Sequence, residues 1–275
     1  MNYFEFDFKI DPIVPFRDVV LAYIEDLSFD SFEEYPGGLK AYTRDSTLET
    51  SFVLTLLEDL LGEASIELVR TEIATKNWNE EWEKNFTPIR VHDQILIHAP
   101  FHKVEEHFPH RIEIEPKMSF GTGHHSTTWL MCEMILGLEL QDKTILDMGS
   151  GTGVLAILAE QCGAKFIDAI DIEEWAFENC KENLERNGSH HITALLGDAS
   201  LLKGKTYDII LANINRNILV NDQAIYSECL SSGGEILLSG FYTSDVPIIL
   251  AAFENYDLIK QSEQNDWACL RLKKR

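Results

Sequence analysis

Apolar and acidic residues alternate from Tyr3 to Phe8, the period of a strand with one buried face. Val19, Val20, Tyr23, Ile24 and Leu27 then recur at helical spacing within Pro15 to Leu27. Two strand-like runs, Phe29 to Tyr35 and Leu39 to Thr43, flank Pro36-Gly37-Gly38 and predict a hairpin. Ser46, with Glu49 three residues on, predicts a capping box opening a second helix. That helix carries Phe52, Val53, Leu56, Leu57, Leu60 and Leu61, and Gly62 closes it. Ile66 to Ile73 completes a β-α-β-β-α-β order, that of a small α+β ferredoxin-like domain over 1–75. Trp78 to Phe86 predicts a linker helix (76–88), its two tryptophans four residues apart on one face.

From residue 89 onward the period changes. Short strands are expected at Ile89–Val91, Gln94–Ala99 and Arg111–Glu115, then a helix over Thr127–Leu136, where a plain cap by Ser126 or Thr127 is the alternative to an anion site at its start. Short apolar runs then alternate with helical patterns: Thr144–Met148, a helix from Val154, Phe166–Asp171, a helix over Trp175–Arg186, and Ile192–Leu196. Tyr207–Asn213 is almost wholly apolar, as a parallel strand buried on both faces would be. A helix over Ile218–Leu230, a strand at Glu235–Ser239, a helix at Ile248–Phe253 and a hairpin of Tyr256–Gln261 with Trp267–Leu272 close the chain. The region 89–275 therefore predicts an α/β, Rossmann-like domain.

Within it one stretch organises the rest. Asp147-Met-Gly149-Ser-Gly151-Thr-Gly153 joins a strand to a helix, and Asp171 ends the next strand. Alternating glycines let main chain approach a ligand, and an acid roughly 20 residues on can accept the hydroxyls of a ribose. The unit predicts a nucleoside-containing ligand. A dinucleotide fingerprint asks for Gly-x-Gly-x-x-Gly, but its third glycine is here Val154. Asp147 would repel a pyrophosphate and suits a cation. An NAD site and a plain structural turn remain as alternatives.

Three further places are candidates. Phe120-Gly121-Thr122-Gly123 turns into a helix whose hydroxyls, Thr128 among them, gather where N–H groups are free for an anion. Asp198 follows a strand end and suits an amino group of a purine, or serves as a simple turn residue. Asn213 ends a strand, where ligands of open α/β sheets bind, and offers both a donor and acceptors.

The net charge of −23 disfavours DNA and other nucleic acids, and either attracts a basic, lysine-rich partner or simply aids solubility. The five cysteines stand singly, as reduced thiols of a cytoplasmic protein do. No apolar run reaches the roughly 20 residues of a membrane span, and no secretory signal is visible. Five histidines between His92 and His110 fit no metal template, so no metal is expected.

Asp-x-Gly-x-Gly-x-Gly followed by Asp171 resembles the first motif of class I S-adenosylmethionine-dependent methyltransferases. Met118-Ser-Phe-Gly-Thr-Gly-His-His-Ser-Thr-Thr128, Leu146–Ala156 and Ala212-Asn-Ile214 together resemble the ribosomal protein L11 methyltransferase (PrmA) family over essentially the whole chain. The resemblance implies a substrate-recognition domain at 1–75, the linker helix and a class I methyltransferase domain at 89–275. It implies S-adenosyl-L-methionine as cofactor, held by Thr128, Gly149, Asp171 and Asn213. Asp147, Gly151, Gly153, Phe120, Gly121, Thr122, Gly123 and Asp198 complete the expected cofactor set, with Asn213 orienting the reaction. It implies methylation of lysine side-chain and N-terminal amines of ribosomal protein L11, by an enzyme expected to be monomeric. One departure stands out: Asn215 occupies a place where an apolar residue is expected. A related enzyme acting on another protein or a small molecule, and a cofactor-binding ribosome-assembly factor, are the other readings.

Overall fold

The computed structural model describes residues 3–60, 63–73, 83, 86–117 and 119–275. The chain divides into two compact units, Met1–Asn85 and Phe86–Arg275. The boundary falls inside the linker expected at 76–88; the helix predicted there lies almost wholly outside the described residues.

In the smaller unit, β1 (Tyr3–Asp11), β2 (Ser31–Tyr35), β3 (Gly38–Thr43) and β4 (Ser65–Ile73) form one antiparallel sheet in the order β2-β3-β1-β4. Alternation in β1 does what its pattern predicts. Phe4, Phe6, Phe8 and Ile10 are buried, and they pack with Val20 and Ile24 of α1 (Phe16–Ile24) and Val53 of α2 (Thr50–Leu56). The capping box is not formed. Asp45 accepts the N–H and hydroxyl of Thr47, which holds residues 45–47 in a local turn, so the helix starts only at Thr50 with no side-chain cap. It then tightens into a 3-10 turn at Glu58–Leu60, and Phe52 and Leu56 stay exposed.

The larger unit is built on a seven-stranded sheet. Its strands are β8 (Thr144–Met148), β9 (Phe166–Asp171), β10 (Ile192–Leu196), β11 (Tyr207–Asn213), β12 (Leu230–Tyr242), β13 (Tyr256–Gln264) and β14 (Trp267–Lys274). The order is β10-β9-β8-β11-β12-β14-β13, with β14 antiparallel to both neighbours and the first five strands mutually parallel. A small sheet of β5 (Ile89–Val91), β6 (Ile95–His98) and β7 (His110–Glu113) precedes it. Strand alternation divides the core in two. Ile145, Ile167, Ile209, Leu211 and Leu237 face α3 (Ser126–Ile135), α4 (Val154–Gln161) and α5 (Glu174–Arg186). Leu146, Met148, Ile170, Ile210, Ala212 and Leu238 face α6 (Arg216–Asn221), α7 (Gln223–Cys229) and α8 (Val246–Ala252). The single helix expected over 218–230 is two helices, broken at Asp222 (φ −94°, ψ 3°).

Chain direction decides where a ligand can sit. From β8 the chain winds through β9 to β10 on one side, then crosses to β11 on the other. The connections therefore diverge above the carboxyl ends of β8 and β11, and a crevice is left between them.

Candidate active site

A cleft of about 290 Å³ opens at that divergence. Met148 and Gly149 at the end of β8, Ile170 and Asp171 at the end of β9, and Asn213 and Ile214 at the end of β11 form its floor. Phe120, Ile172, Trp175 and Ile218 wall it with apolar side chains that are 42–67% exposed, an unusual density of uncovered apolar surface. Asp198 and Asp222 stand at its polar rim.

The glycine loop is shaped by its contacts. Gly149 has φ +72°, and a Cβ there would lie 2.2 Å from Ile214 Cγ2. At Gly151 (φ +54°) a Cβ would meet the Phe120 carbonyl oxygen at 2.3 Å. Side chains at these two places would push the floor of the cleft apart. The loop is held from three directions. Thr152 N–H donates to the Phe120 carbonyl (2.9 Å) and its hydroxyl to the Gly121 carbonyl (2.8 Å). Gly151 N–H donates to Asp171 Oδ2 (2.8 Å). Asn183 Nδ2 donates to the Thr152 carbonyl (2.9 Å).

Asn183 is one of three amides spaced four apart, Asn179 and Asn183 within α5 and Asn187 at its C-cap. Glu115 N–H donates to Asn183 Oδ1 (2.8 Å), Glu113 N–H to Asn187 Oδ1 (2.9 Å), and Asn187 Nδ2 returns a bond to the Glu113 carbonyl (2.7 Å). The amides satisfy main chain at the end of β7 and just beyond it, on the edge away from β6. The sequence reading passed over this ladder, although its period of four on a helix was there to be seen.

Phe120, Gly149, Gly151, Asp171, Asp198 and Asn213 line the cleft as expected positions, whereas Gly121, Thr122, Gly123, Thr128, Asp147 and Gly153 do not. Asp171 is 9% exposed and its other oxygen, Oδ1, accepts the Glu173 N–H (3.0 Å), so both oxygens are oriented by main chain. Asp198 caps a short 3-10 turn through Ser200, whose hydroxyl and N–H hold the carboxyl below its ordinary value. Asn213 donates from Nδ2 to Thr128 Oγ1 (3.4 Å), while its Oδ1 is buried with no partner among the described residues.

Two expectations are corrected. Asp147 does not face the cleft. It points to the α3–α5 side of the sheet, fully enclosed, with Oδ2 accepting Ala156 N–H (3.1 Å) and Oδ1 unpartnered. Desolvation pushes its carboxyl up to about 7, and the nearby Asp171 charge adds to this. The hydroxyls at the start of α3 are turned inward as well. Thr127 and Thr128 are fully buried, Thr128 supports Asn213, and the helix is capped by His125, whose Nδ1 accepts Thr127 N–H (3.3 Å), rather than by Ser126 or Thr127. That bond leaves the ring proton on Nε2.

The Asn215 departure has a local cause. Its Oδ1 accepts Ile218 N–H (3.2 Å), so it is the N-cap of α6.

The model of the family described as "Ribosomal protein L11 methyltransferase (PrmA)" matches residues 25–275. The chain belongs to the ribosomal protein L11 methyltransferase family. A protein of that name from Phocaeicola vulgatus is 42% identical over 277 residues, spanning 98% of this chain and 99% of its own length. Another from Porphyromonas gingivalis is 44% identical over 263 residues, 92% of this chain and 89% of its own. Among solved structures, the ribosomal protein L11 methylase of Lactobacillus delbrueckii subsp. bulgaricus aligns with a TM-score of 0.64 at 26% identity, covering 69% of this chain and all of that one. Membership of the L11 methyltransferase family accounts for the fold of the larger unit. No cluster of residues suited to a metal occurs among the described residues, nor any helix long and apolar enough to cross a membrane.

Proposed function

We propose that the cleft binds S-adenosyl-L-methionine and that the protein methylates lysine side-chain and N-terminal amines of ribosomal protein L11. The observation that carries this reading is the pairing, across one crevice, of a carboxylate and a neutral amide. Asp171 sits where a ribose would be gripped, and the unpartnered Oδ1 of Asn213 sits at the end of the adjacent run of strands. The cradle fits such a group. The loop at Gly149 and Gly151 has room only for main chain on its own side, and the exposed Ile172, Trp175 and Ile218 offer apolar faces to a purine.

The cofactor supplies an electrophilic methyl group; the remaining work falls to the chain. Gly149, Asp171 and Asp198 hold and orient the nucleoside, and Phe120 closes one wall. The acceptor amine must arrive neutral, although a lysine has a pKa near 10.4. Among the described residues no carboxylate or imidazole is hydrogen-bonded to the side chain of Asn213, which donates to Thr128. Asn213 is therefore a positioning group: its free oxygen can accept an N–H of the amine and align the lone pair. The apolar surround disfavours the ammonium form. Alignment, rather than a side-chain base, supplies most of the rate. Residues 1–75 form the recognition module in this reading, the linker spans 76–88, and the transferase is 89–275.

The test is incubation with isotopically labelled cofactor and unmethylated ribosomal protein L11, followed by mass spectrometry. Label on lysine or N-terminal nitrogen is expected; label on another protein or none would overturn the assignment. A chain lacking residues 1–75 should bind cofactor and fail to methylate that protein.

A further inference from the structure

Three aromatic side chains that the reading above does not use, His125, Trp267 and Tyr242, continue from Phe120 of the cleft wall as one row of rings. Phe120 lines the cleft, and its ring centroid is 5.1 Å from that of His125. His125 meets Trp267 edge to face at 4.6 Å, and Trp267 stacks on Tyr242 at 4.2 Å with 30° between planes. The fold delivers these rings independently. Phe120 precedes the glycine turn, His125 caps α3, and Tyr242 and Trp267 are cross-strand partners at the ends of β12 and β14. Three residues before Tyr242, Ser239 is the register partner of Asn213, and three residues after His125, Thr128 bonds that same Asn213. The row thus runs from the cleft along the side of Asn213 away from Asp171. Phe120 and Tyr242 are about half exposed (49% and 50%), a large apolar area left in water.

We propose that this row is the entry and docking site for the acceptor side chain: a straight aliphatic chain ending in an ammonium, received through ring faces beside Asn213. The proposal rests on the methyl-transfer reading and assigns the acceptor half of the same site to His125, Trp267 and Tyr242. Charge supports an aromatic rather than an ionic recognition. Among the described residues the acid bonded to the row is Asp245, which accepts Tyr242 N–H (3.3 Å) and is paired with Arg216 (2.7 Å). His125, with its proton on Nε2 and its pKa lowered by burial, stays uncharged and does not repel an incoming cation. A carboxylate would hold the ammonium form against losing its proton. Ring quadrupoles attract the cation more weakly and make no hydrogen bond to its protons, so the amine can deprotonate as it moves toward Asn213. Ring faces also tolerate a nitrogen that has already gained carbon.

The experiment compares Trp267→Ala, Trp267→Leu, Tyr242→Phe and wild type in the full-length protein. Cofactor affinity is read by calorimetry and steady-state constants with ribosomal protein L11 as acceptor. Two inhibitors are added: a lysine peptide carrying a trimethylammonium group and its uncharged carbon isostere. Wild type should bind the charged peptide about tenfold more tightly than the isostere. Trp267→Ala and Trp267→Leu should each erase that preference and raise acceptor KM about tenfold, with cofactor affinity within twofold of wild type, while Tyr242→Phe retains both. Equal inhibition by the two peptides in wild type would overturn the proposal. So would an unchanged acceptor KM in a Trp267→Leu protein that still binds cofactor. Loss of cofactor binding in wild type itself would instead refute the methyl-transfer reading.

Discussion

Replacing Asp147 with asparagine isolates the most unusual electrostatic feature of the site. The carboxyl is fully enclosed beneath the glycine loop, and Cys132 of α3, Cys180 of α5 and Asp171 of β9 are the titratable groups that bear on it. Burial raises it from 3.8 to about 7 in the folded protein. An acid raised in the folded state contributes stability in its protonated form. That contribution is complete below the unfolded value and is lost as pH climbs toward the folded one. A rise of about 3 units corresponds to ~4 kcal/mol in all, of which about 2 kcal/mol falls between pH 5.5 and 8. The amide of Asp147→Asn still accepts Ala156 N–H and cannot ionise. The ligand-free variant should therefore gain on wild type as pH rises. At roughly 2–4 °C per kcal/mol for a unit of this size, its lead in Tm should grow by about 4–8 °C from pH 5.5 to pH 8. Scanning calorimetry of both proteins at several pH values reads this directly. A Tm difference independent of pH would show that Asp147 does not titrate in this window. The same substitution should weaken binding of a cationic donor at pH 8, because it removes a negative charge from beneath the loop.

Other perturbations separate the parts of the site. Gly149→Ala forces a side chain into a left-handed backbone and against Ile214, at a cost of about 1–2 kcal/mol for the conformation and 1–3 for the crowding; cofactor binding by calorimetry should fall at least tenfold. Asn183→Ala unties the Thr152 carbonyl and the Glu115 N–H together, leaving buried groups unpaired at about 1–3 kcal/mol each; Tm and cofactor affinity should drop together. Asn213→Ala should lower the single-turnover rate with little change in cofactor affinity. Its pH profile should keep the ionisations of wild type, and the disappearance of one would mark Asn213 as part of a proton path.

The sequence carried the fold where pattern and physics coincide. The apolar run Tyr207–Asn213 is buried because it lies in the middle of a parallel sheet, and Tyr3–Phe8 alternates because one face of its sheet meets two helices. Asp171 and Asn213 were legible as strand-end positions, and both line the cleft. Local chemistry was harder to read. Asp45 captured the turn that Ser46 was expected to cap, and His125 took the capping role from two neighbouring hydroxyls. Asp147 was read as facing a ligand, whereas strand alternation turns its carboxyl to the α3–α5 side of the sheet. The aromatic row was invisible in one dimension. Its members lie at positions 120, 125, 242 and 267 and meet only because β14 reverses alongside β12.

The account stands on a nucleoside methyl donor seated over the glycine loop with its sugar held by Asp171. Titration of S-adenosyl-L-methionine into wild-type protein and Asp171→Ala, at equal concentration in one calorimeter run, tests this most directly. One site per chain in wild type, with affinity reduced at least tenfold in the variant, is the predicted result. No heat with wild type, or the same affinity in both proteins, would contradict it.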